Sequence, residues 1–122
     1  MATAGEIVRQ FYDAVVARDL ATARTFVADD VVVVGLFETY RSAGDFIAAF
    51  TRLLQITISL QVKTIIAQAD EAAIFFEVET MAPVEATVLV AEWHQIRNGK
   101  IAHVTSAFDG RPFAALFPGG QS

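Results

Sequence analysis

At 122 residues, 54% of them hydrophobic and 19% charged, the chain has apolar material for one compact core and too little length for two. We expect a single domain over 1–122, ordered from about residue 5 to about 117, with a short fraying tail at Pro118–Gly120. Nine basic against fourteen acidic side chains leave a net charge of −5, which repels phosphate backbones and anionic lipid, and the lack of cysteine excludes disulfides, thiolate metal sites and a cysteine nucleophile.

The N-terminal Met1–Gly5 has no basic flank or apolar run of a signal peptide, and no stretch reaches the roughly 20 uninterrupted apolar residues that span a bilayer. A cytoplasmic protein with no nucleic-acid and no membrane partner is therefore expected. From Glu6 to Arg18, Ile7, Phe11, Ala14 and Val15 recur at spacings of three and four, the stripe of an amphipathic helix. Asp19 can cap a shorter helix with Leu20, Ala23, Phe26 and Val27 inward, ending near Asp29-Asp30. Val31–Val34 is an unbroken β-branched run, which predicts a strand buried on both faces or nearly so, followed by a loop from Gly35 to Arg41.

Ser42, with Asp45 three residues on, resembles a capping box ahead of a third helical stripe of Phe46, Ile47, Phe50, Leu53 and Leu54. The period then becomes two. Ile58, Leu60, Val62 and Ile66 predict the inward face of a long strand that turns at Asp70-Glu71, and Ile74, Phe76 and Val78 that of the next. Met81–Val84, with Pro83, is a turn. A strand from Ala86 to Arg97 meets Asn98-Gly99, a pair suited to the positive φ of a tight hairpin, and the last strand runs from Lys100 to about Phe108. Arg111-Pro112 can then start one helical turn carrying Phe113, Leu116 and Phe117.

Three helices around a short strand, then three long strands on tight turns, is an α+β order in which a curved antiparallel sheet can wrap the helices. Five short pieces carry a family resemblance. They are Arg18-Asp19-Leu20 after the first helix, Val27-Ala28-Asp29-Asp30-Val31 leading to the first strand, and Tyr40-Arg41-Ser42 before the third helix. The others are Trp93-His94-Gln95-Ile96 running through Asn98-Gly99-Lys100-Ile101, and Phe108-Asp109. In this order the chain resembles SnoaL-like members of the nuclear transport factor 2-like superfamily, which includes ketosteroid isomerases, polyketide cyclases and limonene epoxide hydrolase. The resemblance implies a cystatin-like cone with a pocket lined by the concave sheet face and by the first and third helices. It also implies a homodimer through the outer sheet face.

Glu92 and His94 are two apart on the Ala86–Arg97 strand, so they share a face with Val88, Val90 and Ile96, while Leu89, Ala91 and Trp93 take the other. A carboxylate and an imidazole on an apolar face are costly unless paired, hydrated or used. The resemblance to ketosteroid isomerases puts Glu92 where those enzymes hold a protonated acid facing the oxyanion, but Gly35 at the base and Phe11 at the oxyanion tyrosine, with Tyr12 next to it. Isomerisation by that mechanism is therefore not expected. The resemblance to polyketide cyclases offers His94 as their histidine and puts Ser106 where they carry an aspartate. Asp109 is the nearest acid, and it can serve only if a bulge re-aims it. The Asp-Arg-Asp arrangement of epoxide hydrolases has no counterpart, since Val90 precedes Glu92 by two.

The catalytic candidates are thus Glu92 or Asp109 as acid or base, since burial raises the pKa of such a carboxyl, and His94 as the group that orients or exchanges a proton. Tyr12 and Tyr40 could donate to a carbonyl or enolate, with Phe11, Phe50, Val90 and Phe108 as the apolar walls of a ligand site. No cofactor is required. Structural roles stay open beside these: Glu92 and His94 as partners in a polar layer, Asp109 as the cap of the tail turn, Arg41 reaching Glu38 to order the loop, and Glu77 and Glu79 on a solvated face. His94, His103, Glu92 and Asp109 lie at no recognised ligand spacing, so no metal is expected, and the register of His103 against His94 is open. Two functional readings follow. One is a cofactor-free isomerase, cyclase or hydratase acting on an apolar oxygenated metabolite. The other is a non-catalytic ligand-binding or dimerisation module whose pocket is filled by Phe46, Phe50, Phe76 and Phe108.

Overall fold

The computed structural model describes residues 2–116; the tail expected at Pro118–Gly120, and Phe117, lie outside them. Helix α1 spans Ala4–Val16 and opens on a full capping box, in which the Thr3 hydroxyl accepts from the Glu6 N–H and the Glu6 carboxylate accepts from the Thr3 N–H. Its buried stripe contains the expected Ile7, Phe11, Ala14 and Val15, and also Val8 and Tyr12. Helix α2, Leu20–Arg24, is capped by Asp19 and stops earlier than expected. Strand β1 already begins at Val27, running Val27–Val34, so Asp29 and Asp30 are strand residues facing solvent. Arg24 pairs with Asp29, and Arg97 reaches Asp30 at 2.6 Å. The valine run also differs from expectation: Val31 and Val33 are buried but Val34 is exposed, because β1 is covered on one face only.

The loop after β1 contains a two-residue strand β2, Thr39–Tyr40, which folds back antiparallel on β1. The Gly35 N–H closes this turn on the Glu38 carbonyl at 2.9 Å, and a Cβ on Gly35 would sit 2.9 Å from that same oxygen. The position therefore has no room for an acid side chain. Helix α3, Ala43–Ile56, starts with the Ser42 hydroxyl accepting from the Asp45 N–H and buries Phe46, Phe50 and Leu54.

Strands β3 (Thr57–Gln68), β4 (Glu71–Thr80), β5 (Ala86–Arg97) and β6 (Lys100–Phe108) form an antiparallel meander. Its turns use positive φ at Ala69 (49°), Asn98 (54°) and Gly99 (74°). Two register shifts in β3, at Ile58 and at Lys63, change which side chains face the core. Leu60 is buried, but Ile58 and Ile66, both expected inward, stand exposed, and Ile65 takes the inward place of Ile66.

The six strands lie in the order β2-β1-β6-β5-β4-β3. The expected curved antiparallel sheet wrapped around the helices as a cystatin-like cone is corrected here. β1 runs parallel to β6, so the sheet is mixed, and it is neither closed nor strongly curled. Its edges are β3 and the two-residue β2, and so short an edge cannot pair across to close the sheet. The α+β class itself stands. Helices α1 and α3 pack on one face, where Phe11 stacks on Phe46 at 5.7 Å and Tyr12 lies against Phe76 at 4.9 Å. Each fully buried ring of this kind contributes about 1.5–3 kcal/mol. On the opposite face of β5, Leu89 and Trp93 are exposed. The described residues end in a 3₁₀ turn, Arg111–Leu116, that tucks Phe113 into the core.

Candidate functional site

Alternation along β5 places Val88, Val90, Glu92 and His94 on the helix-covered face, as expected. The cross-strand neighbours of Glu92 are set by register, with Ile74 on β4 and Ser106 on β6. A strict two-residue hairpin at Asn98-Gly99 would pair Glu92 with Thr105 and His94 with His103. An extra residue in β6, opposite the Gln95–Ile96 step, shifts the ladder, so His94 faces Val104 and Glu92 faces Ser106. His103 pairs with Gln95 and is thereby on the other face of the sheet from His94. Among the described residues no group of three or more histidines, cysteines, aspartates or glutamates is arranged to hold a metal.

Glu92 is only 8% exposed, and one of its two oxygens is fully engaged. The Tyr12 hydroxyl, projecting from α1, donates to Oε1, and His94 Nε2 lies 3.0 Å from the same atom. Burial, and then the charge of Glu92, push the Tyr12 phenol well above its ordinary value of 10, so it remains a donor at neutral pH. In the tautomer with its proton on Nε2, His94 is a second donor to Oε1. Its Nδ1 is buried without a partner, and its ring is held edge-on to Tyr12 at 6.0 Å between centroids. The other oxygen, Glu92 Oε2, takes no hydrogen bond from any described residue.

That oxygen belongs to a residue lining a cavity of about 660 Å³. Its walls are mostly apolar: Phe46, Phe50 and Leu53 from α3, Phe76 and Val78 from β4, Val88 and Val90 from β5, Phe108 from β6 and Phe113 from the 3₁₀ turn. Volumes of this size are typical of small-molecule sites, and the four phenylalanines that could have filled it line it instead. Ser106 adds a hydroxyl beside Glu92. Glu38, Tyr40 and Arg52 supply the remaining polar lining. Burial, then the nearby Glu38 charge, raise the Tyr40 phenol, and Arg52 opposes this, so the arginine beside this tyrosine is Arg52 of α3.

The sequence-derived candidates thus fall into three groups. Glu92, Tyr40, Phe50, Val90 and Phe108 line the cavity. Tyr12, His94 and Phe11 are fully buried behind Glu92, in contact with one another, and α1 contributes no lining residue, contrary to what the resemblance implied. Asp109 stands apart. It is half-exposed and pairs with Arg111 at 2.6 Å while accepting from the Arg111 N–H, and the Arg111 side chain holds its carboxyl down at about 2. The register shift in β6 lies far from it, so nothing re-aims it into the cavity. Ser106 is the residue that sequence reasoning passed over as the place of a missing aspartate, and only the shifted register reveals its position beside Glu92.

The fold recurs in solved structures. A protein of Kribbella flavida matches with a TM-score of 0.85 at 23% identity, over 94% of this chain and 93% of that one. A putative polyketide cyclase of Pseudomonas putida matches at 0.77 with 20% identity, over 96% and 99%. An LEH-like epoxide hydrolase of Mycobacterium tuberculosis matches at 0.76 with 18% identity, over 96% and 90%. No curated protein matches by sequence. Residues 8–104 match the model of the SnoaL-like domain, and the chain belongs to that family.

Proposed function

We propose that the protein is a small-molecule enzyme in which Glu92 does general acid–base chemistry, without a cofactor, on an apolar oxygenated molecule held in the cavity. The observation that carries this reading is the unshared Oε2 of a nearly buried carboxylate in a largely apolar chamber. A purely structural carboxylate in such a place would have both oxygens satisfied, because a buried acceptor left unpaired costs about 1–3 kcal/mol. Tyr12 and His94 hold Oε1, which fixes the rotamer of Glu92 and leaves Oε2 to meet a ligand. Likeness to a putative polyketide cyclase and to an epoxide hydrolase-like enzyme supports small-molecule chemistry as the class.

Thermal shifts of wild type and Glu92→Gln against apolar ketones, lactones, steroids and aromatic polyketide analogues test the reading. A ligand that binds only the folded state at a hundred times its dissociation constant stabilises it by about 2.7 kcal/mol. One ligand class should stabilise the wild type and lose that effect in the variant. Equal shifts in both, or a variant that merely melts lower with no ligand effect in either, would favour the non-catalytic module. A second copy of the chain would cover the outer sheet face at Leu89 and Trp93. Sedimentation of Trp93→Ser beside the wild type distinguishes that dimer from a monomer.

A further inference from the structure

Resting on the reading of Glu92 as the acid–base group, we infer that Ser106 is its partner toward the ligand: the Ser106 hydroxyl and Glu92 Oε2 together grip an uncharged molecule by an enolisable carbonyl. Three observations carry this. The two residues are directly paired across β5 and β6, which puts their Cβ atoms about 4.5–5.5 Å apart on one face of the sheet. Both line the same cavity. And the Ser106 hydroxyl, half-buried at mid-strand, makes no hydrogen bond to any described residue, as Oε2 of Glu92 makes none.

An acceptor and a donor, side by side and both unpaired, specify a ligand with the opposite pattern. Glu92 Oε2 can take a proton, and the serine can donate one to an oxygen next to it. A carboxylate ligand does not fit, because its charge would face that of Glu92. A hydrocarbon leaves both groups unpaired, at about 1–3 kcal/mol for each unsatisfied partner. A ketone whose α-carbon lies at Oε2 and whose oxygen lies at Ser106 satisfies both. In the step this allows, the α C–H bond breaks and its proton goes to Oε2. The electron pair forms the C=C bond of an enolate, and the displaced carbonyl pair rests on an oxygen that accepts from the serine hydroxyl. The Glu92 carboxyl exchanges its proton with water and returns one to carbon, which closes the cycle and, in deuterium oxide, leaves deuterium on the α-carbon. Enolate charge develops at the oxygen only in the transition state, so the serine bond strengthens there.

The probe is 2-tetralone, a bicyclic ketone, in deuterium oxide with the full chain, with NMR following loss of its α-protons. Binding of 2-naphthol, which resembles the enol, is compared with that of naphthalene. Wild type should exchange 2-tetralone faster than buffer and prefer 2-naphthol to naphthalene. Glu92→Gln should exchange at the buffer rate. Ser106→Ala should lower the catalysed rate by about 100-fold to 1,000-fold, the range found on losing an oxyanion donor. It should also weaken 2-naphthol by about 5-fold with naphthalene unaltered, while Ser106→Thr, which keeps the hydroxyl, retains most of the rate. If Glu92→Gln abolishes exchange and Ser106→Ala leaves it at the wild-type rate, the serine has no such role and the reading of Glu92 stands. If wild type neither exchanges the ketone nor prefers the naphthol, both are overturned.

Discussion

Replacing Tyr12 by phenylalanine removes one oxygen and leaves the packing in place, since the ring's contacts with Phe76 at 4.9 Å, Phe11 at 5.0 Å and Phe50 at 6.0 Å involve carbon only. What is lost is a hydrogen bond to a nearly buried carboxylate, which then has His94 alone on Oε1. Hydrogen bonds to charged groups contribute about 1.5–3 kcal/mol. With an unfolding entropy of about 2.1 cal/mol/K per residue, the melting temperature should fall by about 6–12 °C. The pH dependence adds an independent signature. The Tyr12 phenol is raised in the folded state, so above about pH 10 the unfolded chain loses this proton while the folded chain keeps it. Stability from this group is complete below that pH and declines as pH rises toward the folded value, by about 1.4 kcal/mol per pH unit. Urea denaturation at pH 7 and at several points from about pH 9 to 11 measures both effects. The gap between wild type and Tyr12→Phe should be widest at pH 7 and close on the alkaline side. A variant within about 0.5 kcal/mol of wild type at pH 7, the range of an inert surface change, with an unchanged alkaline slope, would refute the bond to Glu92.

Three further substitutions test the surroundings. Asp109→Asn should leave ligand-induced shifts at pH 7 unaltered. Its effect belongs to acid, because a carboxyl held at about 2 stabilises the fold above its ordinary 3.8 and loses that contribution as pH falls toward 2; melting curves across that window should be flatter in the variant. Gly35→Ala brings a methyl to 2.9 Å from the Glu38 carbonyl and should destabilise by about 1–3 kcal/mol, measured by urea denaturation. Ile66→Ser should change stability by less than about 0.5 kcal/mol, because the β3 register shifts turn it outward, whereas Leu60→Ala should cost about 2–5 kcal/mol.

What the sequence made legible is what short-range rules determine. The stripe of Ile7, Phe11, Ala14 and Val15, the caps at Asp19 and Ser42, the Asn98-Gly99 hairpin and the inward face of β5 all follow from periods of 3.6 and 2 and from local side-chain hydrogen bonds. Where an extra residue enters a strand, that logic loses phase. The shifts in β3 reverse the expected placement of Ile58 and Ile66, and the one in β6 gives Glu92 a serine neighbour and separates His94 from His103. Such bulges answer to packing between distant elements and have no marker in the residues that form them. Glu92 and His94 were visible because polar groups on an apolar face stand out. Tyr12 was visible only as a neighbour of Phe11, since a stripe four residues wide admits it and a narrow one does not. The curved antiparallel cone that the family resemblance implies fails for a similar reason, because the parallel pairing of β1 with β6 joins segments far apart in the sequence and no local pattern announces it.

Whether Glu92 presents a free oxygen to a ligand in the cavity is visible in a crystal structure of the protein with 2-naphthol. The naphthol ring should lie among Phe50, Phe76, Val90 and Phe108, with its hydroxyl donating to Glu92 Oε2 and accepting from Ser106, while Tyr12 and His94 still hold Oε1. A naphthol bound on the surface, or a Glu92 whose second oxygen is bonded to another side chain of the protein, would contradict it.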